Sequence, residues 1–475
     1  MYSKLLVDKQ VNLFRGELVM KKIIIRLIPT FILLSLAYNV YSAQINAKSC
    51  AFTDVQSAIA SSSSGDTIIL PVCSSPAWSS RLEITKQNLT IQGQGTSNTT
   101  INGFGFLIST LSHGTTITGI HFNAGTNVPV IRVSSGNDFS GTPVTDWVID
   151  GNKFTTTKSG CISIFNGSTG LVSNNEFLDT NTDATIYVWG RDDIDWSTPS
   201  FHGEAGQNVF IEDNKFVATS ITTNHAILSG WGGSYIFRCN KVTDSGGNNT
   251  YKDMVDVHGY GHGTNRRGGR AAEVYGNYFD NRNYSSRTIN LRSGSGRIFA
   301  NRWINSSTYI GLTDYRMIGL GLSMAYPTNT ADCSTNSANC ASSAEATCCS
   351  DHEGYPCCDQ IGRGQDLGGA SRQETDPYYF WDNKTTTGAD ISITPSTGTP
   401  ANFIQKNRDF YNGSPPTGYT PYTYPHPARG ISPTGKCLIG VDSASDTDIL
   451  FWSGVTSPPP PATIQTPKGF ETAPL

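Results

Sequence analysis

The chain has 475 residues, with 34 Lys+Arg against 38 Asp+Glu and a formal net charge of −4. Charged residues make up 15% and hydrophobic ones 37%, both below ordinary globular usage. No basic excess exists to grip nucleic acid, and 10% aromatics in a weakly charged chain exclude the disordered class.

Residues 20–43, MKKIIIRLIPTFILLSLAYNVYSA, form the first element. Lys21, Lys22 and Arg26 make a basic start, Leu27 to Ala37 an apolar core, and Ala43 a small residue at a cleavable end. Residues 1–43 are therefore expected to be a removed signal peptide, with Met20 as a candidate start. An uncleaved anchor is the competing reading. No later segment is apolar enough to span a membrane. The mature chain is thus expected to be secreted or on the cell surface, the periplasm included. All 11 cysteines follow the cut, and Cys333, Cys340, Cys348, Cys349, Cys357 and Cys358 crowd together. In an oxidising compartment they predict a disulfide-stapled loop. A zinc cluster is the weaker alternative, because no CxxC pair is present and only His352 lies nearby.

Residues 53–70 predict a short amphipathic helix and a first strand, which would cap an open sheet end. LEITKQNLTIQGQG (82–95) and TTITGIHF (115–122) follow as further strands. A repeat then takes over: VIDGNKF, LVSNNEF, FIEDNKF, IFRCNKV, EVYGNYF and RIFANRW, with a late copy at FWDNKT (380–385). The shared residues are Asn152, Asn175, Asn214, Asn240, Asn277 and Asn301, spaced 23, 39, 26, 37 and 24 apart. The short spacings suit one turn of a parallel solenoid, and the long ones a turn carrying an insert. Asn suits the turn because it tolerates left-handed backbone and can hydrogen-bond in ladders. A second strand precedes each copy: VIRVSS, CISIFN, TIYVWG, HAILSG, MVDVHG and TINLRS. These alternate apolar and variable positions, the pattern of a strand with one face inward.

This pattern resembles the right-handed parallel β-helix proteins of the pectate-lyase-like superfamily. DVQSAIASSSSGDTIILP followed by ITKQNLTIQGQG is similar to the opening of many of them. VDVHGYGHGTNRRGGRAAEVYGNYF and PYTYPHP (421–427) are similar to blocks of exported bacterial β-helix proteins. The resemblance covers residues 50–305 and implies architecture and location more than chemistry. The expected fold is all-β: a single right-handed parallel β-helix with an N-terminal capping helix and a Cys-rich side loop. The expected divisions are the β-helix at 44–305, a Cys-rich insert at 306–375, last strands and a Tyr/Pro-rich extended segment at 376–456, and a Pro-rich tail at 457–475.

Stacking the outward positions gives one column of Arg132, Ser163, Tyr187, Ile227, Asp256 and Asn290. The next is Ser134, Phe165, Trp189, Ser229, His258 and Arg292. At about 4.8 Å per coil, Trp189 to Arg292 would span roughly 14 Å, the length of a few sugar rings. Trp189, Tyr187 and Phe165 are candidate sugar-stacking residues. His258 is the candidate base or acid, Asp256 its orienting partner, and Arg292 and Arg270 partners for a uronate carboxylate. His262, Arg266 and Arg267 in the following Gly-rich stretch are candidate substrate contacts. The competing reading is that exposed β-helix columns are polar in any case and that aromatic rows stabilise stacks. A further column sets Glu212 beside Arg238 and Glu273 beside Arg297. These are expected to be exposed ion pairs worth about 0–1 kcal/mol each.

Asp179, Asp183, Asp192, Asp193 and Asp195 are the candidates for a Ca²⁺ site, without EF-hand spacing. Solvated loop acids are the favoured alternative, and no metal ligand is assigned. Gly261-His262-Gly263 looks like part of a polygalacturonase motif, but the accompanying Asp pair and Arg-x-Lys are missing. The extended motifs of pectate lyases are missing too. The leading functional expectation is an exported carbohydrate-active protein cleaving an acidic polysaccharide by β-elimination. The rivals are a non-catalytic adhesin, matrix or glycan-binding protein and, third, a glycoside hydrolase.

Overall fold

The computed structural model describes residues 42–313, 361–429 and 437, apart from short internal segments within those ranges. Among the described residues, parallel strands form three long sheets of twelve, ten and ten strands. From Thr67–Ile69 onward, successive strands of these sheets fall in different sheets, and each pairs with the strands of its own sheet one coil away; a separate antiparallel pair joins Arg363–Asp366 to Gln373–Thr375. This is a parallel β-helix, the fold expected from the repeat. Its first end is closed by the helix Phe52–Ser61, which buries Val55, Ala58 and Ile59. The Cys50–Cys73 disulfide and a hydrogen bond from Trp78 Nε1 to the Cys50 carbonyl (3.0 Å) fasten that cap.

The recurring Asn is the internal spine. Asn152, Asn175, Asn214, Asn240, Asn277, Asn301 and Asn383 stand one above another. Each Oδ1 from Asn175 onward accepts both the backbone N–H and the Nδ2–H of the Asn one coil before. A buried turn thereby satisfies polar groups that no strand ladder reaches. Beside it, Phe122, Phe154, Phe177 and Phe216 stack face to face at 4.8–5.2 Å. The late copy at 380–385 belongs to the same stack, and so does Tyr309–Leu312, which pairs with Arg287–Leu291. The solenoid thus continues past residue 305.

Two disulfides are formed among the described residues, Cys50–Cys73 and Cys239–Cys437. Cys161 is a buried thiol. The six crowded cysteines, the proposed signal peptide through Tyr41 and the Pro-rich tail lie outside the described residues. No helix among the described residues is long and apolar enough to cross a membrane.

The expected exposed ion-pair column requires correction. The register is as expected, with Glu212 opposite Arg238 and Glu273 opposite Arg297. The column is nevertheless buried, because the Tyr/Pro-rich segment lies over it. Arg238 is fully buried and donates to Glu212, to the Tyr275 hydroxyl, and to the carbonyls of Tyr422 and Thr423. His426 N–H donates to Glu212, and Arg429 pairs with Asp213. Glu273 and Arg297 do not pair with each other. Glu273 accepts from Gly203 N–H and the Tyr419 hydroxyl, and Arg297 pairs with Asp376.

Candidate functional site

The ten-stranded sheet that runs from Leu82–Ile84 to Ser392–Pro395 carries the candidate residues. Arg132 pairs in register with Ser163, Ser163 with Tyr187, Tyr187 with Leu228, Leu228 with Asp256, and Asp256 with Asn290. The expected column is therefore right except at one coil, where Leu228 replaces Ile227. Both residues are apolar, so alternation alone does not fix the phase. Pairing does: Ile227 sits between Ile186 and Val255 in the core. The same one-residue shift puts Gly230, not Ser229, beside Trp189.

At one end of the row stands a charged cluster. The Asp256 carboxylate is completely buried. Arg292 donates to it through Nε at 2.9 Å and also through Nη2, and His258 Nδ1 lies 3.0 Å from Oδ2. His225 Nε2 approaches the same oxygen at 3.9 Å. Burial alone would raise the pKa of Asp256. The Arg292 charge, the His258 hydrogen bond and the neighbouring histidines outweigh burial and hold it below the usual carboxylate range. An ionised Asp256 only accepts, so a proton on His258 Nδ1 would donate to it and leave Nε2 as the acceptor, whereas in the other tautomer Nδ1 accepts from Arg292 Nη2. Arg292 Nη2 lies 2.5 Å from Nδ1 and closes over the pair. His258 keeps 23% of its side chain exposed.

A second acid lies underneath. Asp253 is buried, pairs with Arg287 (3.2 Å) and accepts from Asn290 Nδ2 (3.1 Å). Burial first, and then repulsion from Asp256, push it up to about 6.

At the other end stand partly exposed aromatics. Tyr187 stacks on Trp189 with centroids 5.4 Å apart, and Trp189 on Trp231 at 4.3 Å. Between Trp189 and His258 the row holds only Gly230, a place without a side chain. Two coil steps separate the aromatic from the imidazole, about 10 Å.

Several candidates lie elsewhere. Phe165 is buried beneath Arg132, whose guanidinium sits 4.7 Å over the ring, so it offers no open platform. Arg270 is fully buried, faces Trp196 and reaches Ser295, so it cannot meet a substrate carboxylate at the surface. Arg267 is also buried. It sits over Trp196 and makes a bidentate pair with Asp366 at 2.6 and 3.0 Å. Both arginines turn away because the apolar face of Trp196 and nearby acids offer a lower-energy place for a guanidinium than the open row. His262 and Arg266 lie outside the described residues.

Among the described residues no group of three His, Cys, Asp or Glu side chains could hold a metal ion. Three of the candidate Ca²⁺ acids are engaged within the protein. Asp195 pairs with Arg191, Asp179 accepts from Thr219, and Asp192 accepts from the Arg267 N–H.

Sequence reasoning missed Trp231 and His225. Trp231 lies outside the aligned strands, and His225 sits at a strand start where alternation carries no phase. The structure is similar to that of an alginate lyase from Paenibacillus sp. str. FPU-7, at 17% identity and a TM-score of 0.38, over 57% of this chain and 98% of that one. It is also similar to a PL6 alginate lyase in complex with a trisaccharide, at 13% identity and a TM-score of 0.39, over 80% of this chain and 84% of that one. No family model and no curated protein sequence matches the chain.

Proposed function

We propose that this β-helix protein is exported, binds an anionic polysaccharide along the open row from Tyr187 to Arg292, and cleaves it by β-elimination. The observation that carries the reading is the Asp256–His258 pair, closed by Arg292, two coils from a row of partly exposed aromatic rings. Tyr and Trp faces suit the C–H faces of sugar rings, and a carboxylate-oriented imidazole suits proton abstraction. His258 Nε2 takes the C5 proton of a uronate, the electron pair forms the C4–C5 double bond, and the C4–O4 bond breaks. The proton held on Nε2 then passes to the leaving O4. Arg292 acts through Asp256 as a positioning residue. Export is supported by the N-terminal basic-apolar run and by two disulfides, which need an oxidising compartment.

One observation favours a non-catalytic glycan-binding role instead: Arg292, Arg267 and Arg270 are all engaged within the protein, so none is committed to a substrate carboxylate. A single assay separates the two. Absorbance near 232 nm is followed on alginate, polygalacturonate and glycosaminoglycans, with and without Ca²⁺. The lyase reading expects a rise that His258→Ala lowers about 10²–10⁴-fold while retention on the same glycan persists. Retention without any rise selects the binding role, and neither result sinks both.

A further inference from the structure

Trp231 is the residue in the row with the least local reason to be tryptophan. Its φ is +55°, in the left-handed region that bulky side chains avoid. Glycine or asparagine would occupy that backbone without strain.

The surrounding backbone enforces the conformation. Trp231 N–H donates to the Arg267 carbonyl (2.8 Å), and the Trp231 carbonyl accepts from Asp192 N–H (2.8 Å). On the neighbouring coil, Gly190 lies so close that a Cβ there would stand 2.5 Å from the Trp231 carbonyl oxygen. The turn Trp231-Gly232-Gly233 is therefore pressed flat between its neighbours. A tryptophan at this position stacks on Trp189 with centroids 4.3 Å apart and planes 30° apart.

Packing alone does not account for the stack. The interior stack of Phe122, Phe154, Phe177 and Phe216 is fully buried or nearly so, while Tyr379 and Tyr411 form a partly exposed stack on the twelve-stranded sheet. Tyr187, Trp189 and Trp231 also keep an intermediate exposure on the outer face. Strained backbone held by its surroundings concentrates where a side chain must be aimed for function.

We infer that Trp231 completes a pyranose-stacking subsite with Trp189, next to the side-chain-free step at Gly230 that leads to His258. The inference rests on the glycan-binding part of the proposed function and not on cleavage. The subsite would take a sugar ring through its C–H face, so it fixes position along the chain and is indifferent to the uronate charge.

The test exploits the strain. Trp231→Gly removes the ring and relieves the backbone together, so a purely structural ring and a binding ring give opposite results. The full mature protein, with the Cys50–Cys73 and Cys239–Cys437 disulfides intact, is compared with Trp231→Gly, Trp231→Phe and Trp189→Ala. The readouts are thermal midpoint and retardation in gels holding alginate, polygalacturonate or heparin. The expected result for Trp231→Gly is an unchanged or raised midpoint and at least a tenfold loss of affinity, with Trp231→Phe recovering most of it. A lowered midpoint with unchanged affinity overturns the inference and makes the ring a packing element. Wild-type protein that no gel retards overturns the glycan reading and this inference with it. Wild-type retardation matched by Trp231→Gly overturns the inference alone.

Discussion

Two faces of the same solenoid carry nearly the same chemistry and end in opposite roles. On the twelve-stranded sheet, Glu212, Arg238, Tyr275, Phe299 and Trp381 follow one another coil by coil. On the site sheet, Tyr187 and Asp256 stand in one column with Leu228 between them, and Trp189, His258 and Arg292 in the adjacent column with Gly230 between the first two. The first face is covered by Tyr419 to Arg429. Tyr422 and His426 pack tilted against Phe210 at 4.6 and 4.4 Å, and Tyr419 packs edge-on against Phe299 and Trp381. Among the described residues, no such segment lies over Tyr187, Trp189 and His258, which stay partly exposed. Residue type is thus similar on both rows, and cover decides which one stays partly exposed.

The sharpest way to break this contrast is to remove one cation from each face. Arg238→Ala leaves Glu212 buried without its charge partner and frees two strap carbonyls, so a loss of about 3–5 kcal/mol is expected in urea unfolding. Arg132→Ala on the site sheet removes a half-exposed guanidinium lying over Phe165, and about 1 kcal/mol or less is expected. Equal losses would mean that cover does not distinguish the two faces.

The spine beneath both faces supplies an internal reference. Asn240→Ala removes the side-chain bonds to Asn277 and to the Ile211 carbonyl, and leaves the Asn214 backbone N–H without its acceptor, while Asn214 Nδ2 keeps the Val172 and Glu212 carbonyls. About 2–4 kcal/mol is expected from these buried unsatisfied groups. Calorimetry should show the loss without any change in glycan retention. A change in retention would tie the spine to the open row.

A smaller effect should appear as pH dependence on the covered face. Burial first, together with repulsion from Glu212, raises Asp213 to about 6 against an ordinary 3.8, despite the Arg429 charge. A carboxyl raised in this way favours the fold fully below 3.8 and loses that contribution as pH rises through about 6. The fall is at most about 3 kcal/mol. Asp213→Asn keeps a residue that tolerates the left-handed backbone at φ +57°. It is expected to flatten the decline in thermal midpoint between pH 4 and 7 relative to wild type. Asp253 on the other sheet is raised as well, so the difference between the two proteins, and not the wild-type slope, is the quantity to read. Asp256 runs the other way: held below the usual range, it stabilises above its unfolded pKa and loses that contribution as pH falls through its folded one.

How much of this was legible depended on how local the signal was. The Asn spine could be read directly because each copy needs the same side chain at the same turn, and the repeat displays it. The columns could be read too, since strand alternation has period two, until HAILSG offered two apolar residues in a row and the phase was lost at Ile227 and Leu228. Asp256 could be placed because it lies in the strand Val255–Val257, and His258 and Arg292 because each directly follows a strand whose alternation carries on to them. Arg267 and Arg270 were misplaced because they follow a strand rather than lie in one, and an arginine in a turn has no face assigned by period.

The sequence by itself determined the architecture, the spine and the register of most coils, because those follow from side chains that recur at fixed intervals. It also determined that an aspartate, a histidine and an arginine fall in two adjacent outer columns. Only the tertiary structure decided which outer columns remain open. That depends on where a segment nearly two hundred residues away comes to lie, shown by the Cys239–Cys437 disulfide with its sequence separation of 198. It depends equally on contacts between distant backbones, such as those that hold Trp231 left-handed against Trp189. Such contacts have no period, and their energies come from burial that a linear pattern does not contain.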